Sequence, residues 1–471
     1  MRFFAFLFFI AVIVFASETG CRKDKLDQDS TAKLLFSRDT VVFDTVFTTV
    51  GSATRQFKVY NTSSKAVNIS SIQLAGGASS NFHMNVDGVS TTSTNDILLR
   101  GGDSMYVFVD VQVDPNNSNS PLMIEDSILF ITNGNHQTVI LNAVGQDAYF
   151  HYYTYLNCNE VWANDKPHVI YGYAVVPSCC TLTLLPGTKV YLHHNAVLAA
   201  DSCSTLKVLG AAGNPVTFQG DRLESDYAEE PGQWGYIWLS TQSKNNVIDW
   251  ADIKNGNVGI LSDSSLYASE KPTVRITNTK IRNMTIAGIF GRDSYMEGDN
   301  ITVTNCGNYC LAVAYGGKAK FSHCTFGNYW NIETRTTPAV LLNNWYKLDD
   351  VTNIERDLVG AEFYNCIIYG DLTNEIGLDS ATTTGAQFNF KFSHCLIKTD
   401  QNTSNAANFI SCNYNNDPQF ADAVNYDLHL GVNSPARNFG DPAIGALYPF
   451  DLDNMLRTVD GTPDAGAYEG Q

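Results

Sequence analysis

The sequence predicts an all-β protein in two parts, a β-sandwich followed by a solenoid of short strands. Residues 34 to 148 hold short runs that alternate apolar and polar side chains, with turn residues between them. This pattern is typical of the strands of a sandwich. From residue 182 onward, strands follow one another without a helical pattern, and a short motif recurs at steps of 18 to 42 residues. Such a period indicates repeats that stack on their neighbours.

The chain begins with a segment typical of export. Arg2 precedes an unbroken apolar run from Phe3 to Phe15. This run is too short to span a membrane, which takes about 20 apolar residues. It fits the core of a secretory signal peptide over residues 1–20.

The letters "ETGC" at 18–21 place a small residue directly before a lone Cys, which resembles the cleavage box of bacterial lipoproteins. The resemblance implies that Cys21 is the lipid anchor and that residues 21–33 form a tether. Glu18 stands where those proteins carry an aliphatic residue. The charged stretch 23–29 resembles the surface-export signal of Bacteroidota lipoproteins. We therefore expect an outer-membrane protein, lipid-anchored and displayed on the cell surface; a secreted protein with a chance Cys is the alternative.

The composition argues against one class of partner. The 471 residues carry a formal net charge of −18, with a pI near 4.8. Phosphate backbones repel such a chain, so nucleic acid is not an expected partner. Neutral glycans, peptides or an outer-membrane protein partner fit better.

Four of the 11 cysteines are candidates for disulfide bonds. Cysteines of secreted proteins usually pair. Cys158, Cys179, Cys180 and Cys203 lie close together in the sequence, but spacing alone does not decide their connectivity.

The alternating segment resembles a known domain class. The order "NTSSKAVNISSIQL", "LRGGDSMYVFVDVQVDP", "SILFITN" and "TVILNAVGQ" is similar to that of immunoglobulin-like domains of the ASH and choice-of-anchor D type. The resemblance implies an immunoglobulin-like β-sandwich over residues 34–148 that acts as a spacer or docking module. A Tyr-rich connector is expected at 149–181.

The second half resembles another class. Strands "TLTLL", "KVYLH", "TLKVLG" and "VTFQG" are separated by Pro-Gly and Gly-Asn-Pro turns, and "PGQWGYIWLS" follows. These segments are similar to the opening coils of the pectin lyase-like class. The resemblance implies a single-stranded, right-handed parallel β-helix over residues 182–412.

A repeated motif predicts the register of the coils. "FSHC" occurs twice, with "FYNC" between the two copies. Aligned with three earlier segments, these motifs give a column of small residues: Asp252, Thr279, Cys306, Cys324, Cys366 and Cys395. Adjacent strand residues point to opposite faces, so we place the Cys inside the coil as a small filler and the neighbouring His or Asn on the other face or at a bend. The 42-residue step from Cys324 to Cys366 predicts one further coil, with its strand at 338–346.

The last segment, 413–471, resembles the terminal segment of choice-of-anchor Q β-helix proteins. An open helix end exposes unpaired backbone and core, so the resemblance implies a cap. The matching residues are Asp417, Pro418, Phe420, Tyr426, Leu428, Ser434, Pro435, Ala436, Asp451, Asp453, Arg457, Pro463, Asp464, Gly466, Ala467, Tyr468 and Glu469.

Pectin lyase-like folds include lyases and hydrolases of acidic sugars, but the residues that those reactions need are not evident. Calcium-dependent lyases need clustered carboxylates and an Arg or Lys base. Polygalacturonases carry a Gly-His-Gly, which this sequence lacks. Arg275 lies in a predicted rung without acidic neighbours in the aligned rungs. We therefore assign no catalytic residue, no metal site and no cofactor, with Ca²⁺ left open.

Two stretches are candidate ligand sites. Aromatic rings beside amides and carboxylates are suited to sugar rings, so a groove is predicted, with packing over the outer face of the coil as the alternative. Its candidate residues are Tyr329, Trp330, Asn344, Trp345, Tyr346, Asp349 and Asp350. An acidic loop with Asp221, Glu224 and Asp226 is either a calcium or substrate site or a solvated loop.

One further acidic set is interpreted as structural. Asp451, Asp453 and Asn454, near Asp460, have the oxygen-rich spacing of a calcium loop but lack its Gly and its final Glu. Because these residues also match the terminal segment, a cap role is favoured.

The leading interpretation is a non-catalytic binding or scaffold protein, for glycans or for a nutrient-uptake partner in the outer membrane. One alternative is a polysaccharide lyase or glycoside hydrolase with a non-standard active site, which predicts that carboxylates and a base converge in the groove. The other alternative is a purely structural surface protein.

Overall fold

The computed structural model describes residues 25–48, 50–113, 122–264, 271–350, 352–458 and 461–470. The predicted all-β class is confirmed there, since the α-helix α1 is a single turn, Pro442–Gly445, and the other helical turns are short 3₁₀ segments. These segments are Gly77–Ser79, Ser225–Tyr227 and Ala423–Asn425. The predicted signal peptide, Cys21 and Asp460 lie outside the described residues. Contacts divide the chain into two compact units, Met1–Asp147 and Ala148–Gln471.

The first unit contains two five-stranded sheets. Its strands are β1 (Leu35–Phe36), β2 (Thr40–Phe47), β3 (Arg55–Tyr60), β4 (Val67–Leu74), β5 (Phe82–Val86), β6 (Val89–Thr91), β7 (Ser93–Leu99), β8 (Ser104–Val111), β9 (Leu122–Thr132) and β10 (Asn135–Gln146). The sheet orders are β1-β3-β8-β5-β6 and β2-β10-β9-β4-β7, and β2 pairs with β10 in parallel.

The alternation in sequence produces the core of this unit. Every second residue of β8 is buried, from Met105 to Val111, because successive side chains of a strand point to opposite faces. Val107 from one sheet and Ile128 and Leu141 from the other belong to the same apolar cluster. The two sheets therefore enclose a single core.

The second unit is built mainly from one sheet of 24 strands. Its strands are β11 (Tyr149–Tyr155), β12 (Glu160–Trp162), β13 (His168–Val176), β14 (Thr181–Leu184), β15 (Lys189–Leu192), β16 (Val197–Ala200), β17 (Thr205–Leu209), β18 (Val216–Gly220), β19 (Trp234–Leu239), β20 (Asn246–Asp249), β21 (Ala251–Lys254), β22 (Gly256–Ser262), β23 (Val274–Met284), β24 (Ala287–Cys306), β25 (Tyr309–Ser322), β26 (Thr325–Asn328), β27 (Val340–Asn343), β28 (Trp345–Lys347), β29 (Asn353–Glu355), β30 (Leu358–Tyr364), β31 (Ile367–Gly370), β32 (Ile376–Asp379), β33 (Phe388–Ser393), β34 (Leu396–Ile397), β35 (Phe409–Ile410), β36 (Asn413–Tyr414), β37 (Phe420–Asp422) and β38 (Asp427–Leu430).

Strands of this sheet pair in parallel with strands that come later in the chain. β14 pairs with β17, β17 with β20, and β20 with β23. The stretch between two strands paired in this way is called a winding below. The register stacks Leu182 on Leu206 and Ile248 on Ile276, and all four side chains are fully buried. Each winding therefore covers the apolar side chains of the one before.

The predicted connector at 149–181 is part of this sheet. It contains β11, β12 and β13, and β11 pairs in parallel with β13. Trp162 of β12 is fully buried in the same apolar cluster as the later windings. The Tyr-rich connector therefore consists largely of strands of this sheet, and the tyrosines of β11 are not buried.

The observed register differs from the predicted column at two positions. Thr279 pairs with Ile301 rather than with Cys306, and Asp252 pairs with Lys280 rather than with Thr279. β24 is an uninterrupted strand of 20 residues that contains both Ile301 and Cys306. Ile301 comes first along that strand, and it is the inward residue that occupies this column. The short motif alone carries no information about that offset.

The three later cysteines do stack inside the sheet, as predicted. Thr325 pairs with Ile367 and Ile367 with Leu396, which aligns the preceding residues Cys324, Cys366 and Cys395. These three cysteines are fully buried, and burial raises the pKa of the Cys366 and Cys395 thiols. Such thiols are poor nucleophiles, so their role is packing.

The residue before each of these cysteines forms a bend. His323, Asn365 and His394 have left-handed backbones, with φ of 49°, 51° and 51°. The Nδ2 atom of Asn365 donates to Nε2 of His323 over 3.0 Å, and Asn300 donates to Asn278 over 3.1 Å in earlier windings. The predicted bend and its contacts from winding to winding are confirmed, and these residues are called the bend ladder.

The predicted extra coil between Cys324 and Cys366 is absent. A strand does form there, β27, but β26 pairs directly with β31. The 42-residue step is therefore a single winding, enlarged by the antiparallel hairpin of β28 and β29. A long step in a repeat is ambiguous, since an inserted hairpin lengthens it as much as a second coil does.

The predicted cap lies along the side of several windings. Its backbone hydrogen-bonds to the side chains of Asn300, Thr325 and Asn365, which belong to successive windings. Arg457 is fully buried and donates to Asn300 over 2.8 Å. The many fixed residues of this segment therefore anchor it laterally, and its contacts are not confined to the last winding.

Candidate functional site

A groove lies where the C-terminal segment meets the sheet of the second unit. It consists of two cavities, of about 490 and 350 Å³, which share Lys280 as a lining residue. We call it the Lys280 groove. Its larger cavity is lined by Glu229, Lys280, Ile281, Arg282, Thr302, Thr304, Asn425, Tyr426, Asp427, His429 and Tyr468. The smaller is lined by Ala212, Gly213, Pro215, Trp250, Ala251, Asp252, Asn278, Lys280, Leu452 and Asp453.

Trp250 occupies an unusual position in this groove. The pairing of Asp252 with Lys280 aligns Trp250 with Asn278 of the bend ladder. Its φ of 49° is left-handed, like that of the Asn and His residues in later windings. A bulky side chain rarely adopts this conformation, because it is sterically unfavourable. The indole is partly exposed and lines the smaller cavity.

A histidine between two carboxylates lines the larger cavity of the groove. Nδ1 of His429 contacts Asp427, and its Nε2 lies 2.6 Å from Asp453. The hydrogen bond to Asp453, followed by that to Asp427, raises the pKa of His429 despite partial burial. The imidazole also stacks on Tyr468, with ring centroids 3.9 Å apart.

The cations of the groove are held by neighbouring carboxylates and rings. The Lys280 ammonium lies 5.4 Å from the Tyr468 ring centroid, within cation–π range. Arg282 donates to Asp252 over 2.6 Å and contacts Glu229 at 3.4 Å. These contacts hold five side chains in defined positions: Lys280, Tyr468, Arg282, Asp252 and Glu229.

These hydrogen bonds determine the charge states of the two carboxylates. The hydrogen bond from His429 lowers the pKa of Asp453; for Asp427, burial opposes the shift, but the hydrogen bonds of His429 outweigh it. Both carboxylates are thus ionised at neutral pH, when a general acid must be protonated. Both nitrogens of His429 are engaged by carboxylates, so neither is available as a base.

The aromatic residues of the predicted groove follow two different strands. Tyr329 and Trp330 come after β26, and Tyr329 packs on Phe420 of the C-terminal segment with ring centroids 6.2 Å apart. Trp345 lies in the hairpin after β27, and its Nε1 donates to Asp379 over 2.9 Å.

The remaining residues of that set have further separate neighbours. Tyr346 packs on Tyr315, 4.9 Å between centroids, and the buried Asn344 donates to the carbonyl of Ala381 over 2.7 Å. Asp349 and Asp350 are exposed in the hairpin loop. The contacts of this set thus go to several neighbours rather than to one another.

The acidic loop is divided in a similar way. Asp221 pairs with His193 at 2.8 Å, Glu224 pairs with Arg222, and Asp226 is exposed in a 3₁₀ turn. Glu229, a few residues later, is the part of this segment that reaches the Lys280 groove.

Two acidic residues of the terminal segment have different roles. Asp451 is buried and accepts backbone N–H groups from Met455 and Glu469, at 2.7 and 2.8 Å, so it holds the segment together. Asp453 instead faces the groove through His429.

Arg275 has acidic neighbours in the adjacent windings, so the expectation that it lacks them was wrong. Its Nη2 lies 3.1 Å from Asp299 in the next winding, and Asp249 in the previous winding accepts from Thr277. Burial raises the pKa of Asp299 to about 6, against the opposing effect of Arg275.

Sequence reasoning missed Trp250, Lys280 and His429 as site residues. One signal was present, since Trp250 stands in a repeated position that other windings fill with Asn or His. Lys280 and His429 are far apart in sequence, and only the lateral packing of the C-terminal segment joins them.

Among the described residues, no group of three or more His, Cys, Asp or Glu side chains has the arrangement of a metal site. Over the same residues, no helix is long and apolar enough to cross a membrane.

No protein-family model and no curated protein matches the chain. Solved structures with partial similarity include a family 123 glycoside hydrolase from Clostridium perfringens, at 8% identity and a TM-score of 0.19, over 26% of this chain and 30% of the hydrolase. The ASH/PapD-like domain 7 of human CEP192 matches at 9% identity and a TM-score of 0.18, over 27% of this chain and 94% of the domain. A protein of unknown function from Porphyromonas gingivalis matches at 11% identity and a TM-score of 0.18, over 28% of this chain and 57% of that protein. At these TM-scores the similarities assign neither a fold nor a function to this chain.

Proposed function

We propose that this protein is a surface lipoprotein that binds a neutral glycan, without turnover, along the Lys280 groove. The observation that carries this proposal is the conformation of Trp250, a bulky aromatic residue held in a left-handed backbone beside a cavity. Strained residues of this kind concentrate at functional sites. An indole beside polar groups suits a sugar, whose ring has an apolar face and a rim of hydroxyls.

The proposed architecture is an immunoglobulin-like spacer followed by a right-handed parallel β-helix. The parallel pairing of strands from winding to winding supports the helix. The right hand follows from the strong preference of parallel crossover connections. Cys21 would attach the chain to the outer membrane, with the spacer nearest to the lipid.

The charges of the groove support a neutral rather than an acidic glycan. Three cationic residues, Lys280, Arg282 and His429, face four carboxylates across the two cavities. An acidic sugar would have to displace existing ion pairs, such as that of Arg282 with Asp252. The hydroxyls of a neutral sugar can instead share the hydrogen-bonding capacity of these groups.

Calorimetric titration with oligosaccharides selected on a glycan array tests the proposal. Trp250→Ala should weaken binding by about tenfold or more, since it removes a stacking surface. Trp345→Ala is the matched control, because that indole lies in the groove predicted from the sequence. The affinity of this variant for the oligosaccharide should stay within about twofold of that of the wild type. Unchanged binding by the Trp250 variant, or a loss confined to the Trp345 variant, contradicts the assignment.

An enzyme remains the second candidate, favoured by one observation. Asp299 lies in the winding after that of Arg275, on the side of the C-terminal segment. Its pKa is raised to about 6, and a carboxyl of this kind can act as a general acid. A polysaccharide lyase or hydrolase would then release reducing or unsaturated ends, and Asp299→Asn would abolish the release. Binding without any released ends supports the non-catalytic proposal.

A further inference from the structure

One pair of cysteines outside the Lys280 groove is both accessible and adjacent. Cys158 and Cys180 are joined by a disulfide, whereas Cys179 and Cys203 are thiols. Cys179 is exposed and Cys203 is half-buried. The three stacked cysteines of the later windings are fully buried and Cys412 is half-buried, so Cys179 is the most exposed free thiol among Cys179, Cys203 and these four.

The register of the sheet stacks the two thiols. Thr181 pairs with Thr205, and Cys179 and Cys203 each lie two residues earlier in neighbouring windings. Neighbouring strands are about 4.8 Å apart, which falls within the Cα separation that a disulfide spans. Both cysteines have the same left-handed backbone, with φ of 62° and 64°, so their side chains leave the chain in similar directions. The backbone N–H of Cys179 also donates to the carbonyl of Ser202, the neighbour of Cys203, over 3.2 Å.

A lysine makes the two thiols unequal. Lys244 lies beside Cys203, since its backbone N–H donates to the carbonyl of Ser204 over 3.0 Å. Interaction with Cys179, followed by that with Lys244, lowers the pKa of Cys203, whereas interaction with Cys203 raises the pKa of Cys179. The thiolate is the reactive form of a cysteine, so Cys203 is the nucleophile of the pair.

We propose that Cys179 and Cys203 form a thiol–disulfide exchange site that closes into a second disulfide between neighbouring windings. The Cys203 thiolate attacks one sulfur of a small or protein disulfide, which releases the other half as a thiolate and leaves a mixed disulfide. Cys179 then loses its proton and attacks the Cys203 sulfur, which expels the second half. Two thiols of this chain are oxidised, and one external disulfide is reduced to two thiols.

Oxidised glutathione and peptide mass mapping test this site in the full chain. Wild type should yield a Cys179–Cys203 peptide and no retained glutathione. Cys179→Ser should accumulate glutathione on Cys203, because the resolving thiol is gone. Cys203→Ser should react about tenfold more slowly or less, because Cys179 lacks the stabilised thiolate. Mapping assigns each adduct to its residue, so a reaction at Cys21 is not confused with this pair.

The variant Lys244→Gln tests the activation separately from the geometry. Its Cys203 should form the mixed disulfide about threefold more slowly or less, since the ammonium is replaced by a neutral amide. The proposal is overturned if Cys179 and Cys203 both remain open to alkylation after oxidation, or if Cys179 is found joined to Cys158. An unchanged rate in Lys244→Gln overturns the activating role of Lys244, and glutathione retained on Cys179 in the Cys203→Ser variant at the wild-type rate overturns the assignment of Cys203 as the attacking group.

Discussion

Removal of one ring from the column of stacked phenylalanines should destabilise the second unit strongly. Phe363 of the "FYNC" motif is fully buried. Its ring centroid lies 4.9 Å from that of Phe392, 5.8 Å from Phe321 and 6.3 Å from Phe326. Truncation of a buried Phe to Ala costs about 3–5 kcal/mol, and three ring contacts place this site in the middle of that range or above. We expect Phe363→Ala to lower the free energy of unfolding by about 4 kcal/mol.

Tryptophan fluorescence during urea unfolding is a suitable assay, because it reports on the second unit alone. All six tryptophans lie there, at Trp162, Trp234, Trp238, Trp250, Trp330 and Trp345. Val359→Ala is the matched control on the same strand, because Val359 is 45% exposed and should change stability by less than about 0.5 kcal/mol. A loss below about 1 kcal/mol for Phe363→Ala would refute its position in the stacked column.

Two other changes follow from the ion pairs of the second unit. Arg335→Met should lower the free energy of unfolding in urea by about 3–5 kcal/mol, since it leaves Glu375 buried without its partner at 2.6 Å. Arg222→Met, at an exposed ion pair, is the control and should cost less than about 1 kcal/mol. Equal losses in the two variants would contradict this reasoning. The hydrogen bond to Asp453 raises the pKa of His429, so the stability contributed by the charged ring is complete below about pH 6.5 and is lost as pH rises through the raised value. His429→Asn should remove this decline from stability measured against pH, and an unaltered decline would show that another group causes it.

The repeats in sequence predicted where strands and buried cysteines lie, but not how the windings align. Cys324 and Cys366 are separated by 42 residues, yet they stack directly, because the extra residues form a hairpin at the side of one winding. Ile301 and Cys306 are both apolar, and both side chains are fully buried. Only the pairing of backbones decides between them, and that pairing is a long-range property of the sheet.

The site was less predictable than the strands for a related reason. A groove formed by Lys280, Trp250 and His429 depends on a terminal segment folding back along earlier windings. The charged and aromatic residues of that segment resemble those of any surface loop until their neighbours are known. The aromatic cluster at Trp345 offered a more conspicuous pattern, but its contacts go to residues such as Asp379 instead.

A crystal structure of the protein with its tightest-binding neutral oligosaccharide is the decisive experiment for glycan binding. We expect an intact glycan in the Lys280 groove, with one sugar ring over the indole of Trp250 and its hydroxyls bonded to Lys280 or Asp453. A glycan bound beside Trp345, or one cleaved in the crystal with its new end at Asp299, would contradict this expectation.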